Sequence, residues 1–265
     1  MTLKKAKGWI SFVAMMALVV PAARAAATPA DSTIANLIHA GNAAFKAFDN
    51  KAALEAYGRA VAIDSSNYEA LWKLARAYVD VGQAAKGDVQ KENYALGEKT
   101  ARRCVALYAD SADGHFFLAV AVGRVALMVG GKKKIALSKE VKKEAEAALA
   151  INPRHDGAMH TIGRWNYELA NLSWLLKAAA KIIYGGVPSG ASNEQAKDWF
   201  EKAIGINPDK PVHHLWLGET LIELKDYANA REHFQTCVSL PDFFWDDPKN
   251  KEQAKERLED IKNKS

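Results

Sequence analysis

The residues of this 265-residue chain that could do chemistry are few, and their spacing is wrong for most of it. His213 and His214 are adjacent, so on a helix their rings point apart and cannot share a metal ion. His155 and His160 follow Pro153 with no obvious third ligand, and no His-Glu-x-x-His occurs. Gly131-Lys132-Lys133 lacks both the earlier glycine and the Ser/Thr of a phosphate loop. Ser189 is not in a nucleophile elbow, because Val187 stands where glycine is needed. The sequence therefore predicts a protein that is not an enzyme and holds no metal or cofactor. His115 and His160 are expected to line an interior or a groove. What remains is anion binding. Arg76 follows Trp72 by four residues and Arg164 precedes Tyr167 by three. Guanidinium groups fork onto carboxylate or phosphate, and aromatic faces add apolar contact.

Side chains of this kind need elements to hold them, and the composition supplies helices. Half the residues are hydrophobic (49%), only 8 are Pro, and long alternating Val/Ile/Thr runs are absent. A small–large pattern recurs along the chain. Gly41, Ala53, Tyr57 and Ala60 share their spacing with Gly218, Ala230, Phe234 and Cys237. Gly163 is followed by Ala196, Phe200 and Ala203, with the same spacing inside the second helix. Small residues let paired helices approach and the aromatic fills the gap, a pattern that resembles the tetratricopeptide repeat. The resemblance implies an all-α, right-handed solenoid of five helix pairs, over residues 34–67, 68–111, 112–155, 156–210 and 211–242. A capping helix is expected within 243–265.

Counterparts of Gly41 fall at Ala75, Ala119, Gly163 and Gly218, and counterparts of Ala53 at Gly97, Val141, Ala196 and Ala230. The extra length of repeats two, three and four therefore lies between their two helices. In repeat four, Asp156 to Tyr184 reads as one helix of about 28 residues, roughly 42 Å long. Cys104 and Cys237 occupy the small packing position of a second helix and are expected to be buried free thiols.

A narrower match lies on top of the repeats. Leu71-Trp72-Lys73-Leu74-Ala75-Arg76-Ala77, Gly114-His115, Gly163-Arg164-Trp165-Asn166-Tyr167, Leu172-Ser173-Trp174-Leu175 and Leu240-Pro241-Asp242 occur in that order. Together they resemble the regulator of microtubule dynamics family. That resemblance implies an adaptor-like helical domain without catalytic residues, associated in its eukaryotic branch with microtubules and the spindle.

In repeats of this type the first helices line a concave face. Their inward positions give Asn42, Phe45 and Lys46 in repeat one, and Trp72 and Arg76 in repeat two. They give Phe116 and Arg124 in repeat three, and His160, Arg164 and Tyr167 in repeat four. Repeat five offers Leu215, Glu219 and Glu223 and turns acidic. The implied ligand is an acidic segment of a protein partner; the alternative is an anionic lipid or acyl compound in the same cavity. Trp72 and Phe116 could instead pack between lengthened helices, Arg76 could pair with Asp80, and Arg164 with Glu168. Trp165, Trp174, Trp199 and Trp216 read as core.

The N-terminus has a separate logic. Lys4, Lys5 and Lys7 precede an apolar stretch from Trp9 to Val20, then Pro21 and Ala23-Arg24-Ala25. Residues 1–25 read as a secretory signal peptide cleaved near Ala25/Ala26, and the protein as exported to the periplasm; an uncleaved anchor is the alternative. Residues 26–33 are expected to be a flexible lead. Removing the four cations of the signal takes the formal +5 to +1, which gives no ground for nucleic-acid binding. The lysines between Lys132 and Lys143 are interrupted by Glu140 and read as a solvated outer face.

Overall fold

The computed structural model describes residues 29–173 and 190–265. Among them are eleven α-helices and no strand. They are α1 (Pro29–Lys46), α2 (Asn50–Ile63), α3 (Tyr68–Ala84), α4 (Gly87–Leu107), α5 (Ala112–Leu127) and α6 (Gly131–Ile151). Then follow α7 (Asp156–Ala170), α8 (Asn193–Ile206), α9 (Pro211–Glu223), α10 (Tyr227–Ser239) and α11 (Asp247–Asp260). Successive helices pair as hairpins, the odd-numbered members stack from repeat to repeat, and α11 lies on α9 and α10. This is the expected solenoid of five pairs with a capping helix.

Short polar side chains start the helices by accepting orphan N–H groups. Asp49 accepts from the Ala52 N–H (3.0 Å), Asn67 from Ala70 (3.0 Å) and Ser111 from Gly114 (2.8 Å). His155 does the same with its Nδ1 toward the Ala158 N–H at 3.1 Å, so this histidine serves the backbone.

The small–large pattern is the packing of each pair. A Cβ added to Gly41 would lie 2.5 Å from Tyr57, one on Gly163 2.7 Å from Phe200, and one on Gly218 2.6 Å from Phe234. The three rings are fully buried, and each contributes on the order of 1.5–3 kcal/mol by leaving water. In the longer α3–α4 pair the glycine–aromatic contact lies two turns along, at Gly82 against Tyr94, while Gly97 still packs on the Ala75 backbone. The added length of repeats two and three is helix: α4 and α6 have 21 residues each, against 14 for α2. Cys104 and Cys237 are buried free thiols, with burial pushing them to about 11 and about 12.

Two expectations need correction. Residues 29–33 belong to helix α1 and are helical rather than a flexible lead. Helix α7 stops at Ala170, well short of Tyr184. Asn171 ends it by donating its side-chain amide to the Tyr167 carbonyl (2.9 Å) and exchanging hydrogen bonds with the Asn193 side chain (2.9 and 3.1 Å). Trp174, the rest of that expected long helix and the signal peptide over 1–25 lie outside the described residues. Among the described residues no helix is long and apolar enough to cross a membrane.

Candidate functional site

The candidate site is built on the inner helices α3, α5, α7 and α9. On α3, Trp72, Arg76, Asp80 and Gln83 recur every three or four residues and so share a face. The Arg76 guanidinium lies 3.5 Å over the Phe45 ring and 5.5 Å from that of Trp72, and donates to the Tyr57 hydroxyl at 3.2 Å. Asn42 anchors the same corner by accepting from the Tyr57 hydroxyl (2.9 Å) and from Lys73 (2.7 Å). Trp72 stacks on Phe117 of α5, with ring centres 5.5 Å apart and planes 8° from parallel.

A second cation-on-aromatic unit stands on α7 and α9. The Arg164 guanidinium lies 3.3 Å over Trp216 and donates to Glu168 at 2.8 Å. Tyr167 meets the Trp216 ring edge-on, and burial together with Glu219 and Glu223 pushes its hydroxyl to about 12. Cation–aromatic contacts of this kind are worth about 0.5–2 kcal/mol and hold the guanidinium plane in place. Arg124 of α5 lies between the two units and feels both Asp80 and Arg164.

The electrostatics of this face are unfinished. Burial disfavours the charge on Arg76 and on Arg164. The Nε atoms of both, and Oδ2 of Asp80, are buried without a hydrogen-bond partner. Burial raises the Asp80 carboxyl to about 7, although Arg76 opposes the rise. An unpartnered buried polar group costs about 1–3 kcal/mol, so the inner edge of this face is held at some cost in stability.

The structure brings together Asn42, Phe45, Trp72 and Arg76, and separately Arg164 and Tyr167, with Arg124 between them. Three other expected residues stand elsewhere. Lys46 is exposed at the end of α1. Phe116 wedges between repeats, against Gly157 and the His155 ring. His160 packs edge-on to Phe200, and its Nδ1 is 3.0 Å from Nδ1 of His213. His213 in turn reaches Asp156 at 3.0 Å, as does Lys210 at 2.5 Å. Burial, then the neighbouring His213, Arg164 and Lys210, hold His160 well below its ordinary value. His115 is taken up likewise, with Glu144 on one side (2.6 Å) and the Ala109 carbonyl on the other. His213 and His214 do point apart, His214 meeting His233 at 3.0 Å. Among the described residues no cluster of three His, Cys, Asp or Glu is placed to hold a metal ion.

Two of the three inward residues expected of repeat five are taken up in packing, while Glu223 is exposed and acts on Tyr167. Leu215 is core, packed among Phe234, Ala254 and Ile261. Glu219 is buried, accepting from Gln253 (2.7 Å) and Arg257 (2.9 Å) of α11. Sequence reasoning misses Phe117, Asp80 and Trp216 as site residues. Phe117 escapes it through a one-residue error of helical phase, about 100° of rotation. The pairing of Arg164 with Glu168 forms, whereas Arg76 and Asp80 interact without a hydrogen bond.

Paired antiparallel helices, interlocked small against large and stacked with their first helices inward, define a tetratricopeptide-repeat array. The fold is shared with a thermophilic TPR protein of Thermus thermophilus, at a TM-score of 0.62 and 16% identity over 84% of this chain and 99% of that one. It is shared also with pilF of Pseudomonas aeruginosa, at a TM-score of 0.54 and 14% identity over 90% and 96% of the two chains. Within this class the chain belongs to the regulator of microtubule dynamics protein 1-3 family, whose model matches residues 37–262. Regulator of microtubule dynamics protein 1 of Bos taurus is 27% identical over 205 residues, 76% of this chain and 64% of that protein. Regulator of microtubule dynamics protein 3 of Rattus norvegicus is 29% identical over 178 residues, 66% of this chain and 38% of that protein. The chain thus spans less than two thirds of the length of these relatives.

Proposed function

We propose that this protein is a non-enzymatic interaction scaffold whose concave face takes an acidic segment of a partner protein. The observation that carries this is the pair of guanidinium groups laid on aromatic rings, Arg76 on Phe45 and Arg164 on Trp216, each with a buried Nε that lacks an acceptor. A carboxylate accepts from the outer N–H groups of the forks, and the rings hold the forks in position before it arrives. The repeat fold, which offers an extended concave surface, supports a scaffold role. The relatives' names speak of microtubule dynamics; an adaptor is the level at which that carries over to this chain.

The test is titration of a fluorescent Glu/Asp-rich peptide against the wild type and against Arg76→Glu/Arg164→Glu. Reversal of both charges should weaken binding at least tenfold, about 1.4 kcal/mol. Equal binding by the two proteins would overturn the proposal. Native mass spectrometry of the same samples covers the alternative ligand: a small-molecule mass lost on charge reversal would assign the face to an anionic lipid or acyl compound instead. We further infer that residues 1–25 are an export signal. Protein recovered from the envelope of an exporting host should then have the intact mass of a chain beginning at Ala26, and retention of residues 1–25 would refute cleavage.

A further inference from the structure

Between α10 and α11 runs Asp242-Phe243-Phe244-Trp245-Asp246-Asp247, in which an aromatic-rich turn is bracketed by carboxylates. Asp247 is fully buried, and its Oδ2 accepts from the N–H groups of Phe243 (2.8 Å) and Phe244 (2.6 Å), which fixes the backbone of the turn. Lys251 holds Asp242 at 2.6 Å.

This turn crosses from repeat five to the inner helix of repeat two. Gln83 of α3 donates to Asp246 Oδ2 at 2.5 Å, joining residues 163 apart in sequence. Asp246 also acts on the Asp80 carboxylate one turn earlier on α3, raising it; burial and Asp247 raise Asp246 in turn, with Gln83 and then Arg124 opposing. Lys210 faces the rings of Phe243 and Phe244 at 5.0 and 5.5 Å. An aromatic–acidic segment of the chain itself thus sits against Gln83 at the end of inner helix α3, within the field of Arg124.

We propose that residues 242–247 are an internal ligand of the concave face, and that the partner segment which displaces them carries the same chemistry: consecutive aromatic residues followed by carboxylates. This rests on the scaffold function proposed above and specifies its partner. The match is an amide donor for a carboxylate, with Arg124 the nearest cation, and a lysine over the rings. An occluded site weakens apparent affinity by the fraction of molecules in which it is open, so loosening the internal segment should tighten binding from outside.

The test uses the chain as it exists and a labelled, end-blocked peptide of sequence Asp-Phe-Phe-Trp-Asp-Asp. Two variants loosen the segment and leave the face intact: Trp245→Ala/Asp246→Ala, and Phe243→Ala/Phe244→Ala. Circular dichroism melts establish that each is folded. Both should bind the peptide about tenfold more tightly than the wild type, and Arg124→Glu added to either should abolish the gain. Equal affinity for wild type and opened variants would overturn the internal-ligand proposal and leave the scaffold function standing. Peptide binding by none of them, together with no binding of the Glu/Asp-rich peptide, would overturn both. Tighter binding that survives Arg124→Glu would place the peptide elsewhere and also overturn the proposal.

Discussion

Replacing Asp80 with asparagine removes one ionisable group from the concave face and keeps its shape. Burial lifts this carboxyl from 3.8 to about 7, and Asp246 adds to the rise while Arg76 opposes it. An acid raised in this way keeps its proton in the folded state after the unfolded chain has released it. Its contribution to stability is therefore fully present below 3.8 and is lost as pH rises through about 7. At 1.36 kcal/mol per pH unit the gap is worth about 4 kcal/mol, of which about 3 kcal/mol falls between pH 5 and pH 8. The Asp80→Asn variant has no such dependence. Urea unfolding at the two pH values should show the wild type losing about 3 kcal/mol more than Asp80→Asn on going to pH 8. The comparison also cancels the histidines. His160, His213, His214 and His233 are all held below 6.5 by burial first of all, so their contribution is present above 6.5 and lost as pH falls, in both proteins alike. Parallel profiles, within about 0.5 kcal/mol, would mean that Asp80 is as well solvated as an ordinary carboxylate and would refute the reasoning.

Other expectations follow from the packing. Gly41→Ala forces a methyl into the Tyr57 ring and should cost about 1–3 kcal/mol, whereas Gly58→Ala, with its nearest neighbour at 3.9 Å, should gain about 0.5–1 kcal/mol by stiffening α2. Thermal melts separate the two, and a stable Gly41→Ala would show that the hairpin can spread. Glu219→Ala removes the acceptor that holds α11, and should cost about 2 kcal/mol, less than a fully buried pair because Arg257 is partly exposed. The same variant should be cut faster by protease between α10 and α11; unchanged cleavage would mean that packing alone holds the cap. Cys104 and Cys237 should resist maleimide in the native protein and both react in urea, since each thiol is buried and raised. Rapid native labelling of either would show that its repeat opens.

The repeats were legible because their packing is local. Gly41 and Tyr57 belong to one hairpin, and a contact sixteen residues apart leaves its mark as a fixed spacing. The added length of repeats two and three was legible for the same reason, since it enters as whole turns of α4 and α6. The end of α7 was not. Nothing in the apolar periodicity around Asn171 forbids helix; its side chain stops the helix by meeting Asn193, across a segment whose path the spacing does not specify. Phe116 and Phe117 illustrate a finer limit. Both are apolar and adjacent, and only the rotation of α5 against α3 and α7 decides which of them stacks on Trp72 and which wedges against Gly157.

By itself the sequence determined an all-helical array of five pairs with a cap, two buried thiols, and a row of cations beside aromatics on the first helices. These follow from residue type and from periodicity within about forty residues, where one helix pair carries its own instructions. The tertiary structure decided what that row faces. Superhelical stacking brings the turn at 243–246 back onto α3, turns Glu219 from a groove residue into an anchor for α11, and leaves Asp80, Arg76 and Arg164 with buried atoms that lack partners. Contacts between residues more than a hundred and fifty positions apart depend on the summed rotation of every intervening hairpin, and no local spacing records that sum.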